Sequence, residues 1–230
     1  MRPPTSEYAA PPIYIYPSTP RRGVHFSSTE IRQLLIAILA LSGAFTVLFV
    51  RYDFGYLRDP SILLFLFGVS LLSVGTGVGL HEIMHKAVAQ RYGHWAEFRY
   101  DPRGLALAFV FALIGFIYGA PGATWISGMV TPEQNGKISA AGPLTNVVIG
   151  TAFLGAVVAL ATPTTFLGSL LSFAFAEVAL VNIVLAGFNL IPIMPLDGSN
   201  VWHWNKGIYA GLVAVVLALL AYALINGILI

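Results

Sequence analysis

Two histidines and a glutamate carry the clearest chemical signal in the chain: His81, Glu82 and His85, in the pattern His-Glu-Ile-Met-His. On an α-helix, residues four positions apart lie on one face, so the two imidazoles can bind one metal ion together. Glu82 lies beside them, where a carboxylate can take a proton from a metal-bound water and pass it to a leaving amine. The pattern therefore predicts metal-dependent hydrolysis of a peptide bond.

An accidental match is the alternative, because a short pattern with few fixed letters recurs in unrelated proteins. The position of this motif argues against an accident. It closes a run without formal charge, residues 61–80, and so lies at the end of a predicted membrane span. Ionisable side chains without partners are costly in that setting. We therefore favour a metal site.

The composition indicates a polytopic membrane protein. Hydrophobic residues make up 57% of the 230 and charged residues only 10%, with a mean hydropathy of +0.79. Soluble domains carry far more charge. Because cysteine is absent, any zinc must be held by His, Asp or Glu. The net charge of +2 comes without a dense basic cluster, so no nucleic-acid partner is expected.

Long apolar runs predict the helices that position the motif. A helix needs about twenty apolar residues to cross a bilayer. Five runs meet this requirement: residues 34–50, 61–80, 138–161, 165–190 and 207–230. The sequence therefore predicts an all-α polytopic fold with about five to six transmembrane segments, embedded in a lipid bilayer.

The region of about residues 95–132 does not have the pattern of an ordinary helix. Residues 96–100 alternate polar and apolar, as a strand does, and Asp-Pro-Arg-Gly at 101–104 has turn chemistry. The uncharged stretch that follows is interrupted by glycine and proline. We therefore predict a small membrane-associated β-hairpin with a re-entrant segment.

The chain divides into a tail and one domain. Residues 1–30 are rich in proline and tyrosine, which predicts a disordered tail, and residues 31–230 form the single intramembrane domain. Arginines precede the first span, and further Lys and Arg residues follow the motif. The positive-inside rule then places the N-terminus and the motif on the cytoplasmic side of a plasma membrane. The oligomeric state is left open.

A catalytic zinc normally has three protein ligands and one open position, so a third ligand is required. The extended metzincin pattern H-E-x-x-H-x-x-G-x-x-H does not match this chain. Val88 stands at the position of its glycine and Arg91 at the position of its third histidine. No supporting motif surrounds Glu97, Asp101 or Glu133.

Asp197 has a distinctive setting in the segment Asn-Leu-Ile-Pro-Ile-Met-Pro-Leu-Asp-Gly, residues 189–198. Two prolines and a glycine at the end of an apolar span cannot continue a helix and force a turn. A carboxylate is thereby fixed near the membrane boundary.

Across about residues 61–200 the chain resembles the site-2 protease family of intramembrane zinc metalloproteases. That family joins an H-E-x-x-H helix to a later N-x-x-P-x-x-P-L-D-G element, and residues 142–146 are similar to its G-P-x-x-N signature. The resemblance implies one zinc ion per chain, held by His81, His85 and Asp197, with Glu82 as general base. It also places Asn146 and Asn189 near the site, where an amide can donate to a developing oxyanion or hold substrate. Helix packing is the alternative role for both asparagines.

The resemblance further implies an endopeptidase that cleaves transmembrane protein substrates in or near their membrane helices, as in regulated intramembrane proteolysis. A non-catalytic zinc-binding scaffold or transporter of the same fold is the alternative, although ligation alone does not need Glu82. A soluble-type metalloprotease merely anchored in the membrane fits poorly, because the sequence has no soluble catalytic domain.

Two structural expectations follow from this function. Ligands of one ion must lie at one depth, so residues 104–132 should dip in and return, which brings Asp197 to the side of the histidines. A substrate helix must also be unwound before cleavage. We expect the unwound segment to pair with residues 96–100 or with the strand that follows them.

Overall fold

The computed structural model describes residues 23–160 and 163–228, without the side chain of Tyr52. Within these ranges, five helices are long and apolar enough to cross a membrane, and they confirm the predicted multi-pass fold. Two helices, α2 (Pro60–Val74) and α3 (Leu80–Arg91), form one continuous span through a π-helical turn, Gly75–Gly79. The spanning elements are α1 (Ser28–Tyr52), α2 (Pro60–Val74) with α3 (Leu80–Arg91), α5 (Pro132–Leu160), α6 (Phe166–Asn189) and α8 (Lys206–Ile225).

Side-chain caps set where the first spans begin. The Ser27 hydroxyl accepts a hydrogen bond from Glu30 N at 3.1 Å, so α1 starts at Ser28. The last three residues of the predicted tail are therefore helical, while residues 1–22 lie outside the described part of the chain. Asp59 caps α2 through Ser61 N at 2.9 Å, and Pro60 occupies the first helical turn.

A two-stranded antiparallel sheet follows the motif helix, as predicted. Strand β1 (Trp95–Tyr100) pairs with β2 (Gly122–Ser127), with Tyr100 opposite Gly122 and Trp95 opposite Ser127. The chain between them leaves the sheet and returns to it. The predicted turn at residues 101–104 was wrong: the Asp101 carboxylate accepts from Arg103 N at 3.0 Å and begins helix α4 (Pro102–Ile114).

Helix α4 packs on α1, which explains why the connection between the strands is helical. Small and aliphatic side chains of both helices share one buried cluster. The members that these two helices contribute are Leu34, Ala37, Leu41 and Ala44 of α1 and Leu105, Ala108 and Ala112 of α4. Burial of this apolar face stabilises a helix where local turn chemistry alone would allow a hairpin.

The two edges of the sheet differ. The outer edge of β1 is covered by side chains of α1 and α3: Glu30 Oε1 accepts from Phe98 N at 3.0 Å, Gln33 Oε1 accepts from Tyr100 N at 3.3 Å, and Gln90 Nε2 donates to Ala96 O at 3.4 Å. The backbone groups of the intervening β1 residues face β2. The same alternation continues just beyond the strands, where Asp101 N donates to Pro121 O at 2.9 Å. On β2, the outward backbone groups are therefore those of Gly122, Thr124 and Ile126, opposite Tyr100, Phe98 and Ala96, and Thr124 lies on the side of α3.

A buried ion pair joins α1 to α3 behind the motif. Lys86 donates to Glu30 Oε2, and each side chain is only 1% exposed. The ammonium group of Lys86 also lies 4.4 Å from the ring centroid of Phe26. Because buried charges are costly without partners, this pair fixes the helix that carries the motif against α1.

Candidate metal centre

Three potential ligands converge at the end of the second span. His81 and His85 project from one face of α3, and each Nε2 lies 3.2 Å from Asp197 Oδ2. One ligand atom from each residue lies within 4.8 Å of the others. The imidazoles are buried and the Asp197 side chain is 16% exposed. This convergence is expected if residues 104–132 dip into the membrane and return to the same side of it.

The far side of each imidazole is held by a hydrogen-bond acceptor. His81 Nδ1 lies 3.2 Å from Asn146 Oδ1, and His85 Nδ1 lies 2.7 Å from Ile138 O. A carbonyl oxygen only accepts, so Nδ1 carries a proton, and Nε2, which faces Asp197, is the nitrogen that can give a lone pair to a metal ion once its own proton has left. Two such nitrogens and a carboxylate form the donor set of a zinc site with an open position. The residues therefore fit the metal.

Helix α5 closes one side of this centre with its backbone. Gly142 faces both imidazoles so closely that a Cβ there would lie 2.5 Å from His81 Nε2 and 2.6 Å from His85 Nε2. Only a residue without a side chain leaves this space open. The glycine of the G-P-x-x-N segment thus makes room in front of the histidines.

Asp197 is placed by the turn predicted from its prolines. It is the first residue of α7 (Asp197–Trp204), and α7 is tied to α5 by Asn200 Nδ2 donating to Ser139 Oγ at 3.0 Å. Burial acts to raise the pKa of Asp197, but attraction by His85 and hydrogen bonds from both imidazoles outweigh it. The pKa therefore lies below its usual range, and the group can serve as an anionic ligand.

Glu82 is held by a residue that sequence reasoning missed. Its Oε2 accepts from Thr124 N and from Thr124 Oγ1, both at 2.8 Å. Thr124 belongs to β2 and no motif surrounds it, so only the predicted strand at this position could have pointed to it. The catalytic carboxylate implied by the motif thus contacts the outer edge of the sheet.

The two asparagines occupy different places. Asn146 is fully buried, and its Nδ2 donates to Gly77 O at 2.9 Å while its Oδ1 contacts His81. Both polar ends are engaged, and Oδ1 is placed to orient His81, while the contact of Asn146 with substrate stays a prediction. Asn189 donates to Leu185 O of its own helix at 3.0 Å. Its role toward substrate stays a prediction.

The carboxylates rejected as third ligands serve elsewhere. Glu97 pairs with Arg99, Glu133 pairs with Lys137, and Asp101 caps α4. Within the described ranges, His81, His85 and Asp197 are the one group of three that could hold a metal ion.

Comparison with known proteins supports the metal centre. No family model matches the chain, and no solved structure matches it. The protein named Putative zinc metalloprotease MJ0611, from Methanocaldococcus jannaschii, is 40% identical over 187 residues. The match covers 80% of this chain and 89% of that protein. Identity of this extent shows common descent, and the chain belongs to the same family as this Methanocaldococcus jannaschii protein.

Proposed function

We propose that the chain is an intramembrane zinc endopeptidase of the site-2 protease type, which hydrolyses peptide bonds in or near transmembrane helices. One observation carries the proposal: three candidate ligands and an adjacent glutamate meet at the end of a membrane-spanning helix. The family relationship supports zinc and proteolysis.

The side chains divide the chemistry between them. His81, His85 and Asp197 would hold one zinc ion, which when bound would lower the pKa of a water molecule and polarise the scissile carbonyl. Glu82 accepts a proton from the water and delivers it to the leaving amine. Asn146 and the Ile138 carbonyl hold the two imidazoles in the tautomer and orientation that ligation requires.

The outer edge of β2 is the better candidate for pairing with an unwound substrate. The outer edge of β1 is covered by side chains of α1 and α3. One outward backbone group of β2, the N–H of Thr124, lies at Glu82. A substrate strand added to β2 would therefore run past the general base, whereas one added to β1 would have to displace Glu30, Gln33 and Gln90.

The partners of this enzyme would be membrane proteins with a single span, met within the lipid bilayer. The distribution of Lys and Arg supports a site on the cytoplasmic side of a plasma membrane. The alternative of a zinc-binding scaffold or transporter is not favoured, because it gives no role to the carboxylate of Glu82 beside the ligands.

The first test is cleavage of a tagged single-span substrate in liposomes that contain the purified protein and zinc. Wild type should cleave it, and Glu82→Gln should bind zinc without cleaving. Glu133→Gln is a matched control, since Glu133 lies on the surface and pairs with Lys137. Equal cleavage by Glu82→Gln, or zinc binding without any cleavage by wild type, would count against the proposal.

Zinc content tests the ligand set separately. Wild type should hold about one zinc per chain, and His81→Ala and Asp197→Ala should lose most of it while keeping their helical content. Zinc retained by Asp197→Ala would show that the third ligand lies elsewhere.

A further inference from the structure

We propose that Thr124 links substrate binding to the release of the catalytic carboxylate. In the free protein its backbone N–H holds Glu82, and on strand pairing this N–H passes to the substrate, while the hydroxyl keeps Glu82 in position. The inference rests on the proposed function and makes Thr124 a positioning residue.

The first observation is that both donors of Thr124 reach the same oxygen. Its N and its Oγ1 each lie 2.8 Å from Glu82 Oε2, and its Oγ1 lies farther, 3.2 Å, from Glu82 O. A hydroxyl has one proton, so the shorter contact to the charged oxygen takes the donation. The carboxylate is therefore fixed through Oε2, and Oε1 has no hydrogen bond within residues 23–160 and 163–228.

The second observation is the direction of the Thr124 N–H. Thr124 lies opposite Phe98, whose own N–H points away from β2 to Glu30. In an antiparallel pair, opposite residues share this orientation, so the Thr124 N–H lies on the outer edge of β2. It is the group that an added strand would use.

The contrast with β1 indicates that this contact is specific. Three side chains of α1 and α3 cover β1, none of which belongs to the metal centre. On β2, Glu82 is the side chain bound to an outward N–H, that of Thr124. The outward N–H groups of Gly122 and Ile126 meet no acceptor within the part of the chain described here. The edge is thus left open except at the general base.

Competition follows from these positions. One N–H makes one good hydrogen bond, so a substrate carbonyl that pairs with Thr124 N removes one of the two donors from Glu82 Oε2. The remaining hydroxyl bond keeps the carboxylate beside the metal centre. A strand on β2 thus leaves Glu82 Oε2 with one donor in place of two, beside an Oε1 that is already open to water.

Kinetics test the hydroxyl. Thr124→Val keeps the backbone N–H and a β-branched shape, so substrate should still pair and KM should change little, while kcat falls by about 10- to 100-fold. Thr124→Ser should restore kcat to within about threefold of wild type. Thr151→Val is the control, because among residues 23–160 and 163–228 its hydroxyl bonds only to Val147 O of its own helix. Unchanged kcat in Thr124→Val at full zinc content would overturn the positioning role.

Hydrogen exchange tests the N–H without activity or zinc. In zinc-free protein labelled with 15N-threonine, the Thr124 amide is assigned by its loss in Thr124→Ser. It should be protected in wild type and exchange about tenfold faster or more in Glu82→Ala. Adding the single-span substrate to Glu82→Ala should restore protection. Two results would overturn the proposal that the Thr124 N–H passes from Glu82 to substrate. One is equal exchange in wild type and Glu82→Ala, and the other is a substrate that binds Glu82→Ala without protecting this amide.

The two proposals fail in different ways. Absence of cleavage by zinc-loaded wild type would refute the peptidase, while the exchange measurement on zinc-free protein would still decide whether Glu82 holds the Thr124 amide. Cleavage by wild type with a fast-exchanging Thr124 amide would refute the Thr124 mechanism alone.

Discussion

Replacing Gly142 by alanine should block the metal centre from the side of α5. The added Cβ would lie 2.5 Å from His81 Nε2 and 2.6 Å from His85 Nε2, whereas ordinary contact begins at 3.4 Å. To reach 3.4 Å, the His81 ring would have to retreat by about 0.9 Å and the His85 ring by about 0.8 Å, and metal–ligand distances tolerate only about 0.2 Å. We expect zinc affinity to fall by more than about a hundredfold, which corresponds to about 2.7 kcal/mol.

Gly155→Ala in the same helix provides the matched control. A Cβ at Gly155 meets nothing within 4 Å, and alanine stabilises a helix interior relative to glycine by about 0.5–1 kcal/mol. This variant should bind zinc like wild type and unfold at an equal or higher temperature.

Zinc affinity of the three proteins can be measured in detergent by competition with a chelator, with circular dichroism as a check on helical content. Wild-type affinity in a folded Gly142→Ala protein would refute the reasoning. It would mean that α5 moves away from the imidazoles at little cost, so that Gly142 does not define the space in front of them.

Two further substitutions test the support of the motif helix. Asn146→Ala should weaken zinc binding by about 10- to 100-fold in the same competition assay, because His81 loses its orienting partner. Asn226→Ala, which removes a bond to Tyr222 O far from the metal centre along the chain, should leave zinc binding unchanged. Lys86→Met should destabilise the protein by about 3–5 kcal/mol in thermal unfolding, because Glu30 is left charged and buried. Adding Glu30→Gln, which keeps the acceptor for Phe98 N, should recover most of this loss; additive losses would show that the two residues do not interact.

The spans and the motif helix could be predicted from the sequence because their signals are local. An apolar run of sufficient length must be helical in a bilayer, so α1, α2 and α5 follow from composition. The turn before Asp197 follows from two prolines. That Asp197 meets His81 was implied by the family resemblance and by the expected return of residues 104–132, and the structure brings them together.

Long-range contacts of single residues could not be predicted. Thr124 and Glu82 are separated by 42 positions and share no pattern. Glu30 was assigned to the tail because prolines dominate the preceding residues, although its carboxylate binds Lys86 in the interior. At residues 101–104 the local chemistry fits a turn and a helix start equally, and only packing of α4 on α1 decides between them.

The π-helical turn Gly75–Gly79 has a consequence for how the chain tolerates changes in length. Such a turn holds one residue more than an α-helical turn. Everything after it is rotated by about 100° relative to an uninterrupted helix. Deleting one of these glycines would restore an ordinary helix and swing both imidazoles away from Asp197, even though no ligand had been altered. The number of residues in this segment therefore sets the direction in which the two histidines point around the helix axis. A relative with one residue fewer in this turn would keep the motif, but its histidines would no longer face the aspartate.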